Sequence, residues 1–292
     1  MGHKSGFVNI IGNPNVGKST IMNALVGEKL SIITSKAQTT RHRIMGIVNG
    51  EDFQIVYSDT PGVLKPNYRL QESMMNSVKN ALTDADIILY VSDVVENINK
   101  NKDFIEKLKN ISIPIILLLN KIDKSTEEKT KELLSQWKTL LPNAQIVPIS
   151  ALEKFNIEKL FDMILELLPE SPAYYPKGDL TDKTERFFVS EMIREQILLH
   201  YKKEIPYSVE VEVEEFKEDE KIIRIRAIIY AERQSQKGIL IGHKGKMLKI
   251  IGTEARKQME VFFNKKIFLE TYVKINPDWR NKDTQLQKFG YY

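Results

Sequence analysis

Short apolar runs alternate with helical patterns along residues 7–168, an arrangement typical of a mainly parallel sheet covered by helices. The period of the apolar positions separates strands from helices. It predicts strands at 7–11, 43–49, 53–58, 87–91, 113–119 and 146–149. It predicts helices at 18–27, 70–82, 100–110, 126–140 and 156–168. Sheets of this class bind ligands at the carboxyl ends of their strands, so the loops after the strands are the candidate sites.

The alternation stops at a proline-rich stretch. Pro169, Pro172 and Pro176 fall within eight residues, and prolines at this density do not continue a helix. The pattern therefore predicts an α/β first domain over 1–170, a linker over 171–184, and a second domain over 185–292.

The second domain has a different order of elements. Helical spacing over 185–203 precedes a stretch, Tyr207–Phe216, in which valines face inward and glutamates outward. A polar turn, a partner strand over 222–230, a short apolar segment at 238–241 and the loop 242–245 follow. A helix over 246–263 and a last strand over 267–275 complete it. The inward residues are Val209, Val211 and Val213, and the outward ones are Glu210, Glu212 and Glu214. This order predicts an α+β domain.

The first strand leads into a glycine loop, Gly12–Thr20, that opens a helix. Its spacing is that of a P-loop, in which backbone N–H groups and a helix N-terminus converge on phosphates. Lys18 is expected to reach the β and γ phosphates, and the Ser19 hydroxyl to bind Mg²⁺. A glycine turn that only connects strand to helix is the alternative. The nucleotide contacts predicted here are Asn13, Pro14, Asn15, Val16, Gly17, Lys18, Ser19 and Thr20.

Two further segments have the chemistry of phosphate-sensing loops. The polar stretch 31–43 contains adjacent threonines, of which Thr40, ahead of Thr39, is expected to complete the Mg²⁺ shell. The strand 53–58 ends in a second motif, where Asp59 is expected to hold Mg²⁺ through water and Gly62 to turn its N–H toward the γ phosphate. Ser19, Thr40 and Asp59 are thus the predicted metal ligands.

Base recognition is predicted at two later strand ends. A carboxylate at Asp123 matches the N1–H and exocyclic amine of guanine, and adenine lacks these donors. Asn120 and the Lys121 stem are expected to hold the ring. The segment Ser150–Ala151–Leu152 is placed for a backbone N–H to reach the guanine O6.

Composition narrows the classes of protein. The chain has 292 residues and no cysteine, which excludes disulfides, thiolate metal sites and cysteine nucleophiles and fits a reducing cytoplasm. No apolar run approaches the roughly 18 residues that span a bilayer, so we expect neither a signal peptide nor a membrane span. Residues 221–292 carry sixteen Lys and Arg against six Asp and Glu, a formal excess of +10. Such an excess indicates a nucleic acid or another anionic partner.

Within that basic segment, the element order and an Ile-Gly-x-x-Gly loop resemble a type II KH domain. In such domains the loop clamps about four nucleotides of single-stranded RNA. A plain helix–helix turn is the alternative, and Ile250 and Ile251 are further candidates for an apolar groove under the bases. The residues that the resemblance implies for RNA binding are Ile241, Gly242, His243, Lys244, Gly245, Lys246 and Lys249.

The first domain resembles the translation-factor-related GTPases, and its motifs together are similar to those of the Era family. These motifs are Gln38-Thr39-Thr40-Arg41-His42, Asp59-Thr60-Pro61-Gly62, Asn120-Lys121-Ile122-Asp123 and Ser150-Ala151-Leu152. The resemblance extends to the tail 277–292. It implies slow GTP hydrolysis in which Asn15 recruits K⁺, because Val63 stands where other GTPases have a water-orienting glutamine. Lys18, Asn15, Thr40 and Gly62 are the catalytic residues on this basis.

The same resemblance implies the biological setting. It implies GTP, GDP and Mg²⁺ as ligands, with the 3′ end of small-subunit ribosomal RNA and the small ribosomal subunit as partners. It also implies a cytoplasmic monomer that assists subunit assembly, with peripheral association at the inner face of the cell membrane as a secondary behaviour.

Three alternatives stay open at the level of sequence. One is a P-loop ATPase or kinase, and another is an RNA-binding scaffold in which the nucleotide is only a structural ligand. The third is a membrane-surface GTPase that uses the basic C-terminal third, although no sharply amphipathic basic helix favours it.

Overall fold

The computed structural model describes residues 2–98 and 100–291, which fall into two compact units. The first unit comprises the residues up to 31, 40–65 and 74–182. The second unit comprises 32–39, 66–73 and the residues from 183 onward. The second unit thus includes two short segments from the part of the chain that the sequence assigns to the first domain.

The first unit is built on a six-stranded sheet in the order β2-β3-β1-β4-β5-β6. Among the described strands of this sheet, β2 and β3 pair antiparallel and the other neighbours pair parallel. The sheet begins with β1 (Lys4–Gly12), β2 (Ile44–Asn49) and β3 (Phe53–Asp59). It continues with β4 (Ile87–Asp93), β5 (Ile115–Asn120) and β6 (Gln145–Pro148). All six predicted strands are present.

Five helices accompany these strands, as predicted. They are α1 (Lys18–Val26), α2 (Arg69–Thr83), α3 (Lys102–Lys109), α4 (Glu127–Leu140) and α5 (Ile157–Leu167). Every residue of β4 and β5 is buried, so both faces of the sheet are covered at its centre. The parallel pairing brings the carboxyl ends of β1, β3, β4 and β5 to one edge.

The predicted linker lies largely within the first unit, which extends to residue 182 rather than 170. Its backbone is fixed at several points. The amide of Gln54 bonds to the backbone of Tyr174 and Tyr175 at 2.7–2.9 Å, and the Met45 N–H donates to the Asp182 carboxylate at 2.9 Å. The prolines do end the helix, as predicted, but the chain after them packs along β2 and β3.

The second unit is a three-stranded sheet, β7-β8-β9, packed against helices. The β7–β8 pair is antiparallel and β8–β9 is parallel. Its strands are β7 (Glu210–Glu218), β8 (Ile222–Ala231) and β9 (Lys266–Ile275). Its helices are α6 (Glu185–His200), α7 (Ile205–Ser208), α8 (Gln234–Ile241), α9 (Lys246–Phe263) and α10 (Asp283–Lys288). The predicted order of the main elements is present, with two additional short helices.

The core of the second unit lies between the sheet and helices α6 and α9. It includes Val209 and Val211, as the alternation predicts, with Ile193, Ile251 and Met259. The predicted outward glutamates differ from one another, because Glu210 is buried. Its carboxylate accepts a hydrogen bond from the Tyr291 hydroxyl at 2.5 Å.

In the described ranges, no helix has both the length and the apolar character that crossing a membrane requires.

Candidate functional site

The glycine loop after β1 has two positions that accept only glycine. A Cβ on Gly12 would lie 2.2 Å from the Val91 carbonyl oxygen. Gly17 has φ +101°, and its Cβ would lie 2.3 Å from the Asn120 amide nitrogen. The backbone therefore approaches β4 and β5 more closely than any side chain permits.

The lysine of this loop is held inside it. The Lys18 ammonium donates to the carbonyl oxygens of Gly12 at 3.1 Å and Asn13 at 2.8 Å. Burial lowers the pKa of Lys18 to about 8, against the opposing effect of the Asp59 and Glu96 carboxylates. The ammonium is thus positioned at the start of α1, where phosphate oxygens bind in loops of this shape.

The other predicted loop residues differ in their exposure. Asn13 and Val16 are buried, while Asn15 is exposed with φ +67°. Pro14 and Thr20 are half-buried.

Three side chains predicted to bind metal meet beside the loop. The Ser19 hydroxyl donates to Asp59 Oδ2 at 2.6 Å and lies 3.0 Å from the Thr40 hydroxyl, which is 3.3 Å from the same carboxylate oxygen. Thr39 has other partners, because its hydroxyl bonds to Thr34 at 2.7 Å and to the Lys36 carbonyl at 2.6 Å. Of the two threonines, only Thr40 faces Ser19.

This oxygen cluster fits a divalent cation. Asp59 Oδ1 is buried and has no hydrogen-bond partner within the described residues. Burial raises the pKa of Asp59, while Lys18 and the Ser19 and Thr40 hydroxyls act in the opposite direction. A buried carboxylate with one unused oxygen, next to two hydroxyls, has the donors that Mg²⁺ prefers.

The segment after β3 packs directly on the glycine loop. A Cβ on Gly62 would lie 2.7 Å from Pro14 Cα, so this position also requires glycine. The Val63 N–H donates to the Gly12 carbonyl at 3.0 Å. The position after Gly62 thus contacts the loop through its backbone, and its side chain is apolar.

The predicted guanine motif is hydrogen-bonded to the glycine loop. The Asn120 amide donates to the Val16 carbonyl at 2.7 Å and accepts from the Ala151 N–H at 3.1 Å. The Lys121 ammonium donates to the Asn15 carbonyl at 2.5 Å. One network therefore joins the base-reading and phosphate-binding segments.

Asp123 lies at the exposed end of this network. Its Oδ1 accepts from the Ser150 hydroxyl at 2.6 Å, and the carboxylate is open to solvent. Leu152, the last residue of the predicted base segment, is 70% exposed. The carboxylate is thus oriented by a serine and available to an incoming base.

Asp93, at the end of β4, belongs to this site although the sequence analysis did not select it. Its Oδ2 lies 2.6 Å from the Lys121 ammonium. The feature that identified Asp59 in the sequence could also have identified Asp93, since each aspartate ends an apolar strand of the sheet.

The second candidate site is the loop between α8 and α9. Gly242 has φ +70° and Gly245 has φ +76°, and a Cβ on Gly245 would meet nothing within 4 Å. His243, Lys244 and Lys246 flank these glycines, and Lys244 is exposed. The loop therefore presents glycine backbone and basic side chains to solvent.

A groove of about 340 Å³ continues from this loop between α9 and β9. Its lining residues are Gly245, Leu248, Lys249, Gly252, Thr253, Arg256, Leu269 and Thr271. The predicted apolar residues are not among them, since Ile251 is in the core and Ile241 packs against that core. Helical rotation turns Leu248 and Gly252 toward the groove instead, and β9 supplies Leu269.

Comparisons with known proteins match both parts of the chain. A family model described as 50S ribosome-binding GTPase matches residues 7–121, and a KH domain model matches 204–280. GTPase Era of Staphylococcus epidermidis is 45% identical over 291 residues, covering 99% of this chain and 97% of the relative. GTPase Era of Staphylococcus haemolyticus has the same identity and coverage.

Solved structures agree over the same length. A crystal structure of Era in complex with MgGDPNP and nucleotides 1506–1542 of 16S ribosomal RNA has a TM-score of 0.95 and 37% identity. A variant of Aquifex aeolicus Era bound to GDP·AlF4⁻ has a TM-score of 0.94 and 37% identity. Each match covers 99% of both chains. The chain therefore belongs to the Era family of GTPases, with a KH domain over residues 204–280.

Proposed function

We propose that the first unit binds GTP and GDP and hydrolyses GTP slowly, and that the second unit binds the 3′ end of small-subunit ribosomal RNA. The observation that carries the nucleotide proposal is the direct bonding of Asn120 and Lys121 to the backbone of the glycine loop. This bonding sets a fixed distance between a base and its phosphates. The related Era structure with MgGDPNP and 16S ribosomal RNA supports both halves of the proposal.

Ser19 and Thr40 are proposed to hold Mg²⁺ through their hydroxyls, and Asp59 through water. The unused, buried Asp59 oxygen supports this assignment. When bound, Mg²⁺ supplies positive charge to the β and γ phosphates. Thr40 then depends on the γ phosphate for its position, because Mg²⁺ is shared between them.

Lys18 is proposed to stabilise the charge on the transferred phosphoryl group, and the Gly62 N–H to bind a γ-phosphate oxygen. With Val63 in place of a water-orienting glutamine, turnover without a partner is expected to be slow, on the order of 10⁻⁴ to 10⁻² s⁻¹. Asn15 is proposed to recruit K⁺ over the phosphates. Phosphate release measured in K⁺ and in Na⁺ tests this role.

The KH groove is proposed to bind single-stranded RNA. Gly245 lies open at the mouth of the groove, Lys249 lines it, and Leu248 and Leu269 offer apolar surface to bases. Crosslinking of the purified protein to small-subunit ribosomal RNA with a GTP analogue bound is the direct experiment. Crosslinks should map to the 3′ end of the RNA and to residues 242–249, and crosslinks confined to other residues would contradict the assignment.

We further propose that the nucleotide state controls RNA release during assembly of the small ribosomal subunit. Within the second unit, the Arg194 guanidinium donates to the backbone carbonyls of Gln38 and Thr39. Thr39 directly precedes Thr40, so a change in the metal shell reaches a segment that packs with the KH elements. GTP is proposed to keep the groove open, and hydrolysis to release the RNA.

The protein is proposed to act as a cytoplasmic monomer, with peripheral association at the inner face of the membrane as a secondary behaviour. The basic C-terminal segment supports the second point. Sedimentation with vesicles that contain anionic lipid, compared with neutral vesicles, tests it.

A further inference from the structure

A chain of hydrogen-bonded side chains supports the glycine loop from the side of β4 and α3. The Asn13 amide donates to Glu96 Oε2 at 2.6 Å, and the Ser92 hydroxyl donates to Glu96 Oε1 at 2.8 Å. The Asn101 amide, at the N-terminal cap of α3, donates to the Asn13 side-chain oxygen. Asn13 is 3% exposed, so its side-chain amide is shielded from water, while Glu96 and Asn101 are half-buried.

The position of Glu96 is itself fixed by the aspartate at the end of β4. The N–H groups of Val95 and Glu96 donate to Asp93 Oδ1 at 2.9 and 2.8 Å. The other oxygen of Asp93 bonds to Lys121, which also bonds to the Asn15 carbonyl. The turn that carries Glu96 is therefore tied to the base-reading motif as well as to the glycine loop.

Asn13 transmits this support to the phosphate-binding group. Its backbone carbonyl accepts a hydrogen bond from the Lys18 ammonium at 2.8 Å, while its side chain is held by Glu96 and Asn101. A displaced Asn13 side chain would move a carbonyl that orients Lys18. The Glu96 carboxylate also supports Lys18 through its charge, which favours the ammonium form of the lysine.

We propose that Glu96 is a positioning residue for the nucleotide, because through Asn13 it holds the glycine loop and Lys18 in the geometry that binds the β and γ phosphates. This inference rests on the proposed nucleotide site. Glu96 bonds to the Asn13 side chain, and its charge also favours the ammonium form of Lys18. Burial raises the pKa of the Glu96 carboxyl, and the bonds from Asn13 and Ser92 oppose that shift.

A charge-exchange experiment separates this role from general stability. In Asn13→Asp, a carboxylate replaces the amide that donates to Glu96, and the affinity for a fluorescent GDP should fall roughly 30-fold. In Glu96→Gln, the new amide still pairs with Asn13 and Ser92, so the affinity should change by about threefold or less. In the double variant the new amide at position 96 donates to the new carboxylate at position 13. The affinity should then return to within about fivefold of the unmodified protein.

The matched control removes a negative charge from α3 without touching the loop. Glu106 is exposed and pairs with Lys109 on the same helix. Asn13→Asp combined with Glu106→Gln should bind GDP as weakly as Asn13→Asp alone. Thermal unfolding of each variant checks that it is folded.

The affinities of these variants distinguish failure of the inference from failure of the proposed function. Additive losses, with the double variant no better than Asn13→Asp, would overturn the inference and leave the nucleotide site intact. Absence of GDP binding by the unmodified protein would overturn the proposed function, and the inference with it.

If Asn13→Asp does not fold, Asn13→Ala and Glu96→Ala replace the pair. Each of these variants removes the Asn13–Glu96 bond, so their combination should weaken binding by less than the sum of the two single losses. Fully additive losses would again contradict the inference.

Discussion

Asp123 is the single side chain on which base selection depends. Asp123→Asn replaces one carboxylate oxygen with a donor, which faces the N1–H and exocyclic amine of guanine. We expect GTP affinity to fall on the order of 10² to 10⁴-fold, as hydrogen bonds to a charged group are lost. Xanthosine triphosphate, which carries a carbonyl in place of that amine, should gain affinity relative to GTP. Competition against a fluorescent GDP measures both, with ATP as the reference nucleotide.

An unmodified protein that bound ATP as tightly as GTP would contradict the role of Asp123. It would favour the ATPase or kinase alternative instead.

Lys18 predicts how GDP affinity depends on pH. Its pKa of about 8 in the free protein means that the ammonium loses its proton above that pH, while bound phosphates favour the charged form. Binding then takes up a proton, so the dissociation constant should rise by up to about tenfold per pH unit above pH 8. Lys18→Arg keeps its charge and should bind with a flatter profile. Titration with fluorescent GDP from about pH 7 to 9 gives the comparison, and parallel profiles would contradict the shift.

Among single residues, the sequence predicts those that belong to a short motif. The spacing around Lys18 and the sequence at Asp123 are sufficient for their assignment. Glu96 and Asn101 are separated from the glycine loop by more than 80 residues, and only the sheet brings them together. No short pattern marks them.

The loop between α8 and α9 is the element at which we expect the RNA backbone to bind. Gly245→Asp adds a side chain and a negative charge where the clamped backbone of RNA would lie. A Cβ there meets no protein atom, and aspartate tolerates the left-handed φ of +76° better than most side chains, so the fold should be retained at a cost of about 1 kcal/mol. RNA affinity should fall by roughly tenfold or more. Fluorescence anisotropy with a labelled RNA of the 3′-end sequence measures this loss.

Gly238→Ala is the matched control, because it lies in α8 and its Cβ also meets nothing within 4 Å. It should leave RNA binding unchanged and raise the free energy of unfolding by about 0.5–1 kcal/mol. Equal RNA affinity in Gly245→Asp and Gly238→Ala would place the RNA elsewhere.

Periodicity predicted the elements well where one face of each element packs on its neighbours. It failed where distant segments cover a residue. Glu210 alternates as an outward residue should, yet the hydroxyl of Tyr291 reaches it from the end of the chain. The segment at 238–241 is the second half of a helix that begins at Gln234, where polar side chains obscure the pattern.

For the whole molecule, the nucleotide state is expected to change RNA affinity. With Mg²⁺ present, the GTP analogue and GDP should give RNA affinities that differ by about fivefold or more, the range of typical coupling between sites. Chelation of Mg²⁺ should remove the difference, since Thr40 would lose its link to the γ phosphate. Anisotropy titrations of the same labelled RNA in each state decide the question, and identical affinities would show that no such switch exists.

The division into units was the part of the molecule that the sequence predicted least well. Segment 32–39 lacks periodicity, and segment 66–73 runs into the start of α2, so nothing in either indicates that it clusters with residues far along the chain. The buried Arg194 shows the reason. It pairs with Glu191 at 2.6 Å and donates to two carbonyls of the first segment, and such packing has no local signature.

The parallel pairing of β8 with β9 has a consequence for synthesis of the chain. Leu269 and Thr271, which form one wall of the RNA groove, belong to the last strand, about 100 residues after the end of α5. A growing polypeptide at the ribosome would therefore have all strands of its nucleotide-binding sheet well before the groove has its second wall.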